Sequence, residues 1–171
     1  MESKSIDTVL KETRSFEPPA SFAQHANLTT ANYDRLWKDS QEQPVRFWEQ
    51  AAKNIHWFET WTETLSWDEP FAKWFVGGKT NASFNCLDRH VAGGRKDKTA
   101  ILWEGEEGDV RTLTYGQLLD RVSQLANGMQ NDLGLKPGDT VAIYMPMIPE
   151  AVVTMLACAG RGYPQCDFCR L

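Results

Sequence analysis

Apolar positions along the 171-residue chain change period roughly halfway, which divides it into segments of different kinds. Residues 1–28 show no period; they are polar, carry Pro18-Pro19, and read as an extended or mobile lead. From Thr29 the spacing is helical. Thr29 or Thr30 can cap, and Tyr33, Leu36 and Trp37 recur at i, i+3 and i+4 until Pro44 interrupts them. Pro44 suits the first turn of a second short helix, in which Val45, Trp48 and Ala52 face inward. Six of the seven tryptophans lie between residues 37 and 74, so this stretch is expected to pack against a large surface. Stacking on a nucleotide base is the other use of such rings, and the helical spacing favours packing.

Past Gly93-Gly94 the pattern becomes α/β. Thr99–Trp103 and Val110–Thr114 are β-rich runs joined by the acidic turn 104–109, which predicts a hairpin. Thr114 with Gln117 forms a capping-box signature, and Leu118, Leu119, Val122, Leu125, Ala126 and Met129 draw the apolar stripe of a helix of about five turns. Gly134 ends it, and 136–139 make a turn. Thr140–Met145 then reads as a strand buried on both faces, and Pro149-Glu150 opens another helix with its acid at the positive end. Strand, helix, strand, helix is the order of a parallel sheet with crossover connections.

Composition narrows the possibilities. Eighteen basic against 23 acidic residues give a net charge of −5, which argues against a nucleic-acid footprint or a polybasic membrane anchor. No apolar run reaches signal-peptide or membrane-span length, so the expected setting is the cytoplasm. There the four cysteines at 86, 158, 166 and 169 are expected as reduced thiols. Cys166 and Cys169 have metal-ligand spacing, but the three histidines are scattered singly, and no metal site is expected. The pair Cys86 and His90 is read as a buried thiol and a hydrogen-bonded imidazole.

The densest information lies in residues 74–90, WFVGGKTNASFNCLDRH. Trp74 and Phe75 supply apolar area, and Gly77-Gly78 permits a sharp turn. Ser83 can cap a short helix with Phe84, Leu87 and Val91 on one face. Asn85, Asp88 and Arg89 remain for directed hydrogen bonds, and Asp88 with Arg89 suggests an ion pair tying the helix to neighbouring backbone, rather than a ligand clamp. Gly77-Gly78-Lys79-Thr80 looks like the end of a phosphate-binding loop but lacks its first glycine. Paired acids Glu106-Glu107 read as solvated, and no Ser/His/Asp set is recognisable.

This block resembles the N-terminal region of acetyl-CoA synthetases, within the adenylate-forming acyl-CoA ligases. The motif W-F-x-G-G-x-x-N-x-x-x-N-C-x-D-R-H is met here at Trp74, Phe75, Gly77, Gly78, Asn81, Asn85, Cys86, Asp88, Arg89 and His90, all expected to serve structure. Tyr33–Trp37, Phe47–Glu49 and Trp61–Trp67 extend the resemblance upstream, and Leu113–Leu118, Lys136–Pro146 and Pro149–Val152 extend it downstream as far as Ala159. It implies an α/β fold, with a Trp-rich helical segment over 29–93 and the first βαβ part of the large ligase domain over 94–159, left incomplete.

The resemblance also implies ATP-dependent ligation of acetate to CoA through acetyl-adenylate, using ATP, Mg2+ and CoA, with small molecules as partners. A propionate-specific ligase is the alternative, since the acyl-pocket residues belong to later motifs. A second alternative is a non-catalytic module that binds a full-length synthetase. The S-G-S-T-G-x-P-K-G type loop and the small-domain lysine are absent, so no catalytic or cofactor-binding residue carries over, and the chain alone is expected to be inactive. After Ala159 the resemblance lapses. Codons compatible with the residues from Arg161 onward, read one base out of step, give a Ser-Val-Ile-Phe run like the family's next strand, so 160–171 is expected to be a frameshifted tail.

Overall fold

The computed structural model describes residues 14–160 and the backbone of 166–168. The chain divides into two compact units, with the boundary between Trp48 and Glu49. In the first, α1 (Ala20–Ala23) precedes α2 (Thr30–Glu42), whose cap is Thr29: its hydroxyl accepts from the Asn32 N–H at 3.3 Å. A third helix, α3 (Pro44–Ala52), begins at the expected proline and runs across the boundary, so that Ala52 belongs to the second unit. The inward stripe did not materialise. Tyr33 and Trp37 are each 58% exposed, and Val45 and Trp48 are also exposed, leaving only Ala52 of the α3 set buried. Helical spacing sets which side chains share a face, but within its unit that face meets no second layer.

After α3 the second unit holds an element absent from the expectations. Residues Glu63–Asp68 (β1) and Phe71–Val76 (β2) form an antiparallel hairpin with Leu65 opposite Trp74, turning at a cis Glu69-Pro70 bond. The lead-in to the signature is therefore part strand, not wholly helical. After it come α4 (Ala82–Cys86), α5 (Asp88–His90) and a wide turn, Val91–Arg95, opened by Gly93 and Gly94. Phe84, Leu87 and Val91 do not share one helix face, because Leu87 leaves helical geometry at φ −122°, ψ −71°. Leu87 instead drops into the core at 1% exposure.

The α/β half largely follows its pattern. Strands β3 (Thr99–Glu104) and β4 (Val110–Thr114) form the predicted hairpin, with an irregularity between Thr99 and Ile101. A capping box at Thr114 and Gln117 starts α6 (Tyr115–Asn131), which buries Leu118, Val122, Ala126 and Met129. Those residues join Leu87, Leu113, Val153, Ala157 and Cys158 in one core, the last three from α7 (Pro149–Gly160). The strand between the helices is shorter than expected. Only Val141–Ile143 (β5) is extended, pairing in parallel with β6 (Cys166–Phe168). Ile143 is buried while Ala142 and Tyr144 are exposed, so β5 is covered on one face, not two. The expectations for the side chains of Cys166 and Cys169, and for the tail at 161–171, lie outside the described residues. No helix among the described residues is long and apolar enough to cross a membrane.

Candidate functional site

The signature residues form a knot between β2, α4 and the segment 52–62. Phe75 sits at φ 53°, a left-handed conformation unfavourable for an aromatic residue. Its ring lies 5.3 Å from Trp57 and 5.1 Å from Trp61, and those two rings are 4.9 Å apart. Trp74 adds a tilted contact at 5.9 Å. Gly77 completes the turn at φ 77°, and a Cβ on Gly78 would lie 2.7 Å from the Trp57 ring. The two glycines thus have separate duties: one takes a conformation, the other a close approach.

Lys79 continues the turn as a bridge opposite Glu59. Its N–H donates to the Glu59 carbonyl at 2.8 Å, and its ammonium pairs with the Glu59 carboxylate at 2.8 Å. Thr80 then donates its hydroxyl to the His56 carbonyl at 2.6 Å. Two asparagines close the knot. The Oδ1 of Asn81 accepts from the Phe84 N–H at 3.0 Å, which makes Asn81, and not Ser83, the cap of α4. Its amide nitrogen donates to the Ala159 carbonyl at 2.9 Å, supplying a partner at the C-terminal end of α7. Ser83 lies inside the helix at 3% exposure.

Asn85 treats residue 56 as a neighbouring strand would. Its Oδ1 accepts from the His56 N–H at 2.7 Å, while its Nδ2 donates to the His56 carbonyl at 3.0 Å, to Thr80 Oγ1 at 2.9 Å and to the Asn81 carbonyl at 3.0 Å. Arg89 extends the knot, donating from Nε to the Asn85 carbonyl at 2.9 Å and from Nη1 to the Asn54 carbonyl at 2.8 Å. The arginine therefore ties the helix to backbone as expected, but with no carboxylate partner among the described residues. Asp88 faces instead a cleft of about 430 Å3 that it lines with Asn81, Phe84, Leu119 and Val122.

Cys86 corrects another expectation: its thiol is exposed, and Cys158 is the buried one. A four-residue spacing puts Cys86 and His90 on one face only in a continuous helix, and the break at Leu87 interrupts it. The His90 ring contacts Tyr115 at 5.5 Å, and its Nδ1 lies 3.5 Å from Arg95 Nη1. Burial, then the charges of Arg89, Arg95 and Lys98, hold its pKa below the ordinary histidine value. Among the described residues, no group of three or more His, Cys, Asp or Glu gathers as a metal site would require.

A second polar cluster escaped sequence reasoning. Arg111 on β4 grips Glu150 at the start of α7 with two bonds of 2.8 and 3.1 Å, and Arg121 on α6 stands 3.7 Å away. The Arg111 guanidinium also lies 4.4 Å over the Trp103 ring, whose indole N–H donates to the Met147 carbonyl at 2.6 Å. This clamp fixes the loop between β5 and α7. Hydrogen bonds from Arg111, above all, hold the Glu150 carboxyl below its usual pKa. Only the acid at the helix start was visible in the sequence, because its partner is 39 residues away.

The family described as "Acetyl-coenzyme A synthetase N-terminus" matches residues 33–86, and "AMP-binding enzyme" matches 87–165. The chain is 48% identical to the acetyl-coenzyme A synthetase of Chlorobaculum tepidum, over 94% of this chain and 24% of that protein. It is 53% identical to the Mycobacterium bovis acetyl-coenzyme A synthetase, over 86% of this chain and 22% of the relative. Among solved structures it resembles an acetoacetyl-CoA synthetase from Streptomyces lividans, with TM-score 0.70 and 30% identity over 88% of this chain and 23% of that one. The chain spans about a quarter of the length of the curated relatives it matches. By these matches the chain resembles the N-terminal portion of acetyl-coenzyme A synthetases, with their N-terminal segment at residues 33–86 and the start of an AMP-binding enzyme domain from residue 87.

Proposed function

We propose that this chain is the leading scaffold of an acetate–CoA ligase. In that reaction ATP and acetate give acetyl-adenylate and pyrophosphate, and CoA then takes the acetyl group as a thioester. The carrying observation is the knot itself: Asn81, Asn85 and Arg89 spend their polar atoms on backbone at residues 54, 56, 81, 84, 85 and 159. Side chains so occupied hold a shape and are not offered to a substrate.

The glycine turn does not fit the phosphates of ATP. Lys79, the cation that would face them, is paired with Glu59, and the Trp57 ring lies against Gly78 where phosphate oxygens would have to approach. ATP, Mg2+ and CoA therefore act in parts of the ligase outside these residues. The setting is the cytoplasm, and the partners are small molecules rather than nucleic acid or membrane, in keeping with the net charge of −5. The test is a chimera in which residues 29–159 replace the corresponding segment of a full-length relative. The chimera should catalyse acetate-dependent ATP–pyrophosphate exchange, and this chain alone should not. Exchange by the chain alone, or a folded chimera without exchange, would overturn the proposal.

A further inference from the structure

We infer that the turn from Arg89 to Arg95 is a binding site for a phosphate dianion, gripped by the Arg95 guanidinium beside the His90 ring and the open Gly93-Gly94 backbone. The inference rests on the turn alone and not on the ligase reading. Arg89, His90, Gly93 and Arg95 line a depression of about 410 Å3 without an acidic residue among them. Of the two neighbouring acids, Asp88 lines the separate cleft beside α6, and Asp97, two positions beyond Arg95, is not among the residues that line the depression. Among the described residues Arg95, Lys96 and Lys98 form no ion pair, and the Arg95 guanidinium approaches His90 Nδ1 at 3.5 Å, long for a hydrogen bond. Gly94 has φ 83°, and a Cβ at either glycine would meet nothing within 4 Å, so a ligand can come close to this backbone.

Electrostatics point the same way. After burial, the largest effect, the charges of Arg89, Arg95 and Lys98 also disfavour protonation of the His90 ring, and among the described residues no carboxylate offsets them. The Tyr115 phenol ring, at 5.5 Å, is the aromatic neighbour on the side of α6. A dianion supplies the missing countercharge. A guanidinium fork matches two phosphate oxygens, and the imidazole can add a further donor once protonated. The ligand's phosphate is free in solution or carried by a nucleotide, and the two sources are separable by experiment.

The experiment titrates the 171-residue chain with inorganic phosphate, with AMP and with chloride at matched ionic strength, following backbone amide and His90 ring resonances. Saturable shifts at Gly93, Gly94 and Arg95, with Kd on the order of 1 mM, are expected for phosphate. The His90 pKa should rise in its presence. Tighter binding of AMP at the same amides would identify a nucleotide as the source, and equal binding would identify free phosphate. Arg95→Gln should weaken binding about tenfold and Arg95→Lys by less, because a point charge keeps attraction but loses the fork. Unchanged amide dispersion elsewhere shows that each variant is folded. Identical shifts with chloride, shifts retained in Arg95→Gln, or no rise in the His90 pKa would overturn the site.

Discussion

Replacing Asn85 probes the knot where its bonds are most numerous. Asn85→Ala removes one acceptor and one amide nitrogen that together serve four groups, at 2.7–3.0 Å. The His56 carbonyl keeps its bond from Thr80, and exposed partners recover water, so the usual ~1 kcal/mol per bond applies to only part of the set. The expected cost is about 1 kcal/mol, mostly from the half-buried bond to the Asn81 carbonyl, since the exposed His56 N–H recovers water. Asn85→Asp is the sharper test. It is isosteric and retains the acceptor, but turns a carboxylate oxygen toward two carbonyls and a hydroxyl oxygen, so it should cost more than alanine at neutral pH and recover as the carboxylate is protonated. Equilibrium urea unfolding measures both, read as a fall in midpoint at unchanged slope. An alanine variant within about 0.5 kcal/mol of the parent, or an aspartate variant more stable than alanine at pH 7, would refute the assigned bonding.

Gly78→Ala places a methyl 2.7 Å from the Trp57 ring and should lower stability by about 1–3 kcal/mol, seen as a lower urea midpoint together with altered tryptophan emission. Glu150 has a folded pKa below its ordinary value of 4.5, so its clamp contributes fully above that value, and the contribution is lost as pH falls through the lower folded pKa. Glu150→Gln should therefore destabilise at pH 7 and flatten this part of the acid limb in a pH series of melting curves. Thr114→Ala removes the cap of α6 and should cost about 1 kcal/mol in the same unfolding assay, with loss of amide protection confined to the first turn.

What could be read from the chain was what is local. The α6 helix was legible because its cap, its apolar stripe and its end all lie within a score of residues, and Thr114, Gln117 and Met129 carry those signals directly. The β3–β4 hairpin was legible for the same reason. The β1–β2 hairpin was not, since Trp61, Trp67 and Trp74 suggested bulk to be packed and drew attention from the alternation around Asp68-Glu69-Pro70. Ser83 and Asn81 are both competent caps, and only the fold decides that Ser83 is a buried residue within the helix and Asn81 its cap. The signature identified the family, yet the tasks of its residues depend on distant partners. Asn85 meets His56, 29 positions earlier, and Asn81 meets Ala159, 78 positions later. Asp88 and Arg89 are adjacent and opposite in charge, but the helix break at Leu87 sends them to different surroundings.

The central claim of the proposed function is that Asn81, Asn85 and Arg89 of the signature shape the ligase without touching its substrates. It is tested most directly by putting Asn85→Ala and Arg89→Gln into the active chimera and measuring the KM for acetate, ATP and CoA beside the melting temperature. The account predicts KM values within about twofold of the parent and a melting temperature lower by several degrees, since the lost bonds stabilise ground and transition states alike. A KM for any one substrate raised about tenfold at unchanged melting temperature would contradict it, and would place that side chain at the substrate.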